Sequence, residues 1–123
     1  MRAIIVNSPG GPEALTMQNV PDLEMGPDDI RIAVAAAGVN RADIMQREGR
    51  YPSPPGAPEW PGLEVSGVVT EVGDDVTRFG VGDRVCALLP GGGYATEVVV
   101  HEGLALLVPL SMDLVDAAAL PEA

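Results

Sequence analysis

Glycine and proline interrupt this chain at short intervals, and they limit what it can fold into. The 15 glycines and 12 prolines among its 123 residues leave only short apolar runs between them, such as RAIIV at 2–6 and VSGVVTEV at 65–72. Runs of five to nine residues between turn signals favour strands over long helices. We therefore expect a mainly β fold, a partly open β-barrel, with short helices only near Ala42 and Val115.

The length and charge of the chain narrow the class of protein. A chain of 123 residues is expected to form one domain with its own core. Its net charge of −11 would repel a phosphate backbone, which argues against nucleic-acid binding. No apolar run approaches the ~20 residues of a membrane span, and no signal peptide is evident. We expect a cytoplasmic protein that does not bind membranes.

Several strands can be placed from their apolar patterns. The segment 64–72 is apolar on both faces, which predicts burial on both sides. The runs 84–89 and 94–100 resemble two strands joined across PGGG, so Gly91–Gly93 is expected to form a hairpin turn rather than a phosphate cradle, since no helix or lysine follows. In the turn-rich stretch between residues 72 and 84, Val76, Phe79 and Val81 are expected in the core.

The C-terminal segment predicts a helix. SMDLVDAAAL carries Ser111 as a candidate N-cap, acidic residues in the first turn and helix formers after them. We expect a helix within 112–123, still running where PEA ends the sequence.

One polar stretch stands apart from the apolar strands. GVNRADIMQREGRYP (38–52) is polar and helix-like for about two turns, and it leads into a tract with five prolines up to Pro61. It places Asn40, Asp43 and Tyr51 close together. The proline tract, with Trp60 inside it, is typical of a rigid loop that walls a cleft.

The supply of metal ligands is small. Cys86 and His101 are the single cysteine and histidine, which excludes a cysteine cage, a histidine-based zinc site and a local Ser-His-Asp triad. Cys86 is expected as a small buried hydrophobe and His101 as a surface residue at a strand end.

From Gly62 the chain reads GLEVSGVVTEVGDDV, with glycines at 62, 67 and 73. This pattern, with VTRFGVGDRV and GVNRAD, resembles the N-terminal GroES-like domain of the medium-chain dehydrogenase/reductase superfamily. GVNRAD, CALLPGGGYA and AAALPE are similar to its zinc-independent quinone oxidoreductases, the zeta-crystallin-like branch. Zinc alcohol dehydrogenases carry a ligand cysteine at the position of Asn40 and a ligand histidine at that of Leu63. Neither replacement suits a tetrahedral zinc site, so no zinc is expected.

The resemblance implies roles for the polar stretch. Asn40 and Asp43 would occupy the vestige of the metal site and hydrogen-bond each other, substrate or water. Tyr51 matches a tyrosine near the nicotinamide, so Asn40 and Tyr51 are candidate cofactor contacts, and all three are candidate catalytic residues. Structural alternatives stay open: Asp43 caps the helix or pairs with Arg47, and Tyr51 packs on the proline loop. Glu64 is expected as a buried, hydrogen-bonded carboxylate.

The implied function is that of a substrate-side domain, residues 1–123. With no G-x-G-x-x-G loop in the sequence, the family's Rossmann domain would follow the helix within 112–123. The parent enzyme would use NADPH to reduce a quinone or enone and would be a homodimer, and the isolated chain would be inactive. Two alternatives stay open: a zinc-type alcohol dehydrogenase that lost its metal, and a non-catalytic GroES-like binding module.

Overall fold

The computed structural model describes residues 1–123, and short antiparallel strands dominate it. The strands are β1 (Arg2–Val6), β2 (Leu15–Asn19), β3 (Asp29–Ala37), β4 (Glu64–Val72), β5 (Arg84–Leu88), β6 (Glu97–His101) and β7 (Ala105–Leu107). The α-helices are α1 (Arg41–Arg47) and α2 (Leu114–Ala117), with short 3-10 turns at Pro12–Ala14 and Glu102–Leu104. The predicted mainly β fold, with short helices near Ala42 and Val115, is confirmed.

The strands form two open antiparallel sheets. β1 pairs with β2, and the larger sheet has the order β6-β3-β4-β5-β7. A bridge between Ala3 and Ala95 connects the two sheets. The pairing of β3 with β4 shifts register at Arg31/Ile32 and again at Val34/Ala36. Such irregularities bend and twist a sheet, which suits a curved, partly open barrel.

Apolar side chains cover both faces of the central strands. The main core packs Ile30 and Ile32 of β3 against Val65 and Val69 of β4, all at most 1% exposed. On the opposite face, α2 lies across β3, β4 and β5. A smaller cluster forms there from Cys86, Val108 and Ala117 with Met112 and Leu114. The predicted burial of β4 on both faces is confirmed at residues 64–67, all of which are buried.

The predicted hairpin across Gly91–Gly93 is wrong. β5 pairs with β4 and β7, whereas β6 pairs with β3, so two strands lie between them in the sheet. The reason lies in the backbone of the glycine loop. The N–H groups of Gly92 and Gly93 bond to the carbonyls of Trp60 and Gly62 (both 2.9 Å) instead of closing a turn.

Two local expectations also need correction. Val81 is 68% exposed, whereas Phe79 is buried in the core. α2 spans only Leu114–Ala117, and its N-cap is Asp113 rather than Ser111, because the Asp113 carboxylate accepts the Val115 N–H (2.9 Å). No helix of the structure is both long and apolar enough to cross a membrane.

Candidate functional site

The polar stretch begins where β3 ends. Asn40 is the N-cap of α1, in an extended conformation, and Asp43 lies at the third helical position. The Asp43 carboxylate accepts the backbone N–H of Asn40 (2.9 Å), which satisfies a donor that the helix leaves free. The expected hydrogen bond between Asn40 and Asp43 is therefore present, through the main chain of Asn40.

Asp43 is held from two further directions. Its Oδ2 atom also accepts the hydroxyl of Tyr94 (2.8 Å), and its Oδ1 atom accepts the N–H of Gly62 (3.2 Å). The residue is only 4% exposed. Asp43 thus joins α1, the start of β4 and the glycine loop, and we call Asp43, Tyr94 and Gly62 the carboxylate hub.

The hydrogen bonds of Asp43 decide between its two structural alternatives, the helix cap and the pair with Arg47. The Arg47 guanidinium donates through Nε to the carbonyl of Gly10 (3.0 Å), so the predicted Asp43–Arg47 pair does not form. Asp43 caps the helix, as the other alternative proposed. A carboxylate that already accepts three donors in a buried site is suited to fixing the fold; a direct role in catalysis stays a prediction.

Tyr94 is the residue that the sequence analysis missed. Burial, with the adjacent Asp43 carboxylate, raises the pKa of its phenol far above the ordinary value of 10.0. Tyr94 lines a cavity of about 360 Å³ beside α1 and another of about 290 Å³ beside β1 and β3. No local pattern signals this contact, because Tyr94 lies 51 positions from Asp43. An aromatic residue directly after three glycines is the sole hint in the sequence.

The side chain of Asn40 points toward β4. Its Nδ2 atom donates to Glu64 Oε1 (3.0 Å), and Glu64 Oε2 accepts the N–H of Glu122 (2.9 Å). Glu64 is 3% exposed. The expectation of a buried, hydrogen-bonded Glu64 carboxylate is confirmed.

Tyr51 lies beyond the C-terminal end of α1, away from the hub. It is half-buried and lines an open cavity of about 400 Å³ together with Gln46, Ser53 and Glu59. Gln46 Nε2 donates to Ser53 Oγ (3.0 Å) and to the Glu59 carbonyl (3.1 Å), which fixes the start and end of the proline tract. The structure thus brings Asn40 and Asp43 together and places Tyr51 in a separate cavity.

The proline tract and the glycine loop pack against each other. The Trp60 indole N–H donates to the Gly92 carbonyl (2.9 Å). Gly62 has φ 117°, and a Cβ there would lie 2.6 Å from the Gly93 backbone, so glycine is required on both grounds. Since the N–H groups of Gly92 and Gly93 are bonded within the protein, the loop does not offer a row of free donors to an anion.

The remaining candidate ligands lie apart from this site. Cys86 is buried, as predicted, and it packs against Ala117 of α2. Burial raises the pKa of its thiol. His101 is exposed at the end of β6, where its Nδ1 atom accepts the Gly103 N–H (2.9 Å). No group of three His, Cys, Asp or Glu side chains has a geometry suited to a metal ion.

Comparison with known proteins gives the family. Residues 26–110 match the alcohol dehydrogenase GroES-like domain. A quinone oxidoreductase from Pseudomonas aeruginosa is 41% identical over 111 residues, which are 89% of this chain and 34% of that protein. The synaptic vesicle membrane protein VAT-1 homolog of Danio rerio is 37% identical over 123 residues, 98% of this chain and 25% of that one. The crystal structure of Escherichia coli quinone oxidoreductase complexed with NADPH superimposes with a TM-score of 0.84 at 30% identity, covering 97% of this chain and 36% of that one.

These matches identify the family of the domain and the branch of enzymes to which its relatives belong. The chain belongs to the alcohol dehydrogenase GroES-like domain family. Within the medium-chain dehydrogenases/reductases it belongs to the quinone oxidoreductase (zeta-crystallin-like) branch. It spans about a quarter to a third of the length of these relatives.

Proposed function

We propose that this chain is the substrate-side domain of an NADPH-dependent oxidoreductase that transfers hydride to a quinone or to an activated enone. The observation that carries the proposal is the match over nearly the whole chain to quinone oxidoreductases, one of them described as complexed with NADPH. The parent enzyme acts in the cytoplasm as a homodimer and binds neither nucleic acid nor membrane.

The residues of this chain fit one end of the cofactor. A dinucleotide pyrophosphate needs free N–H groups at a glycine-rich helix start. Here the N–H groups of Gly92 and Gly93 are bonded to other main-chain carbonyls, and Asn40 is the N-cap at the start of α1. The nicotinamide end of the cofactor does not require such a row of N–H groups; it requires polar side chains that orient its ring and the acceptor oxygen. We call these side chains the polar wall. When bound, NADPH supplies the hydride.

Asn40 and Tyr51 form that polar wall in the proposal. The Asn40 amide has a second N–H beyond the one that Glu64 accepts. Its carbonyl oxygen faces the Asp43 N–H in the capping box and has a second lone pair for a ligand. The Tyr51 hydroxyl, in its open cavity, is available to orient the acceptor oxygen. Asp43 keeps the start of α1, and with it Asn40, in place; Tyr51 lies at the other end of the helix.

The proposed reaction proceeds without zinc. Leu63 offers no ligand atom, the Asp43 carboxylate accepts three donors, and the Asn40 amide donates toward Glu64. Such a donor set does not suit tetrahedral zinc. The acceptor must therefore be one that takes hydride without a Lewis acid, such as a quinone or enone.

The test uses an intact enzyme of the relatives' length that carries this domain. Tyr51→Phe should lower kcat/KM with a quinone by roughly ten- to a hundredfold, the loss of one hydrogen bond of ~1–3 kcal/mol in the transition state. Asn40→Ala should have a smaller effect, since water can replace an amide. Unchanged kcat/KM in both variants would contradict the proposed roles.

A second measurement separates the enzyme domain from the alternatives. The isolated chain should show no saturable NADPH binding near micromolar concentrations by calorimetry, and no quinone-dependent NADPH oxidation. Stoichiometric zinc in the dialysed intact enzyme would contradict the zinc-free reaction and would indicate a zinc-dependent dehydrogenase instead. An intact protein that binds neither NADPH nor quinones would favour a non-catalytic module.

A further inference from the structure

Glu64 is a buried carboxylate without a cationic partner. It lies at the first position of β4 at 3% exposure, and none of the four ion pairs of the structure includes it. A carboxylate in this position destabilises the fold unless hydrogen bonds compensate. Its two oxygens accept from separate segments, Asn40 Nδ2 on one side and the Glu122 N–H on the other.

The end of β3 leaves space for this carboxylate. A Cβ on Gly38 would collide with the Glu64 carboxyl group. The Gly38 N–H donates to the main-chain carbonyl of Glu64 (3.1 Å), so the two backbones lie side by side. Gly38 and Glu64 are therefore a matched pair: the glycine allows the carboxylate to reach Asn40.

From this geometry we propose that Glu64 is the positioning residue of Asn40, a role that rests on the proposed function of Asn40. An amide can lie in two orientations related by a half-turn, and its two ends differ in hydrogen bonding. A carboxylate only accepts, so Glu64 selects the orientation in which Nδ2 faces it. The Asn40 carbonyl oxygen then faces the first turn of α1, where the capping box places the Asp43 N–H, and its second lone pair is left to accept from a bound partner.

The same carboxylate connects Asn40 to the C-terminal segment. Arg84 donates to the carbonyls of Pro109 (3.0 Å) and Met112 (2.6 Å), and the Ser66 hydroxyl donates to the Leu114 carbonyl. Glu64 extends this series of contacts to Glu122. Glutamine at position 64 would have a single acceptor oxygen and could not hold both donors.

NMR spectroscopy of the isotope-labelled chain tests the proposal without any catalysis. The chain has three asparagines, so the Asn40 side-chain NH₂ signals can be assigned. In Glu64→Ala they should shift, and their exchange with water should become about tenfold faster, as expected for losing a hydrogen bond to a charged group. The exchange of the Glu122 amide proton with water should accelerate to a similar extent. Glu64→Gln should release one of the two donors.

Two controls separate positioning from general loosening. Glu24→Gln removes the same charge from an exposed site and should leave both signals unchanged. Glu122→Pro removes the backbone donor together with an exposed side chain and leaves the Asn40–Glu64 contact in place, so Asn40 exchange should stay within about twofold. Glu122→Gln controls for the lost charge, and Ala123→Pro controls for the added proline. If Glu64→Ala does not fold, the Glu64→Gln spectrum decides, through the Asn40 and Glu122 signals together.

Asn40 signals that stay unchanged in Glu64→Ala, or Asn40 and Glu122 signals that both stay unchanged in Glu64→Gln, would overturn the proposal. The outcome for the proposed function is separate. If the signals change but Glu64→Gln and Asn40→Ala leave the kcat/KM of the intact enzyme unchanged, Glu64 positions Asn40 and the catalytic role of Asn40 fails.

Discussion

The two polar groups at opposite ends of α1 differ in how firmly the fold holds them. Asp43, near the start, is buried and accepts donors from three separate segments. Tyr51, beyond the end, is half-buried and lines an open cavity. A group whose hydrogen-bonding capacity is used inside the protein serves stability, whereas a group on an open cavity can serve a ligand. The comparison therefore assigns the first to the fold and leaves the second available for chemistry.

Removing the hub carboxylate should give the largest effect. Asp43→Ala leaves the Tyr94 hydroxyl and the Gly62 N–H without their acceptor in a buried site, so we expect a loss of about 3–5 kcal/mol in unfolding free energy. Asp43→Asn keeps one acceptor oxygen and should lose less. Urea titrations of both variants give the values.

The matched control for that variant is Asp113→Ala. This residue accepts one N–H at an exposed N-cap, so its loss should cost about 1 kcal/mol. Equal losses at positions 43 and 113 would show that the hub is no more than an ordinary helix cap.

Tyr94→Phe should give the next largest effect. It removes one hydrogen bond to a buried carboxylate and keeps the ring, so we expect a loss of about 2 kcal/mol in unfolding free energy. Thermal and urea unfolding measure it. An unchanged unfolding free energy would mean that water replaces the hydroxyl and that Tyr94 does not contribute to the stability of the hub.

The raised pKa of Tyr94 predicts a stability change in alkali. The folded state binds the phenolic proton more tightly than the unfolded chain, whose pKa is near the ordinary value of 10.0. This contribution is therefore complete below pH 10 and is lost as the pH rises toward the folded value. Above pH 10, wild type should lose stability faster than Tyr94→Phe, by at most about 1.4 kcal/mol per pH unit, the limit for one proton. Tyr51→Phe is the control and should follow wild type; parallel slopes in all three proteins would contradict the prediction.

The smallest effect on stability is expected at Tyr51. Tyr51→Phe should change the unfolding free energy by less than about 0.5 kcal/mol, because no buried donor or acceptor is lost. Together with the expected fall in kcat/KM, this would be the reverse of Tyr94→Phe. A loss near that of Tyr94→Phe would support the alternative that Tyr51 packs on the proline loop.

Much of the fold was predictable from local patterns. The bounds of β4 follow from its apolar run and from the glycine after Val72, and β1 follows from RAIIV before its turn. The helix at Arg41–Arg47 follows from the polar, helix-like stretch, although its N-cap at Asn40 was not predicted. These patterns succeed because strand and helix periodicity, and the breaks made by glycine and proline, act between neighbours in sequence.

The errors share one cause. The hairpin across Gly91–Gly93 and the core position of Val81 were local interpretations that contacts elsewhere overrode. The glycine loop bonds to the segment Trp60–Gly62 because Gly62 and Gly93 have no side chains, which lets the two backbones approach closely.

The sequence by itself determined the class of fold, the short elements, the small supply of metal ligands and the polar residues worth attention. The tertiary structure alone decided what those residues touch: Tyr94 rather than Arg47 at Asp43, and Asn40 with Glu122 at Glu64. The physical reason is that a carboxylate accepts from any suitably placed donor. Which donors reach it depends on how segments 24 to 58 residues apart meet, and no local periodicity records that.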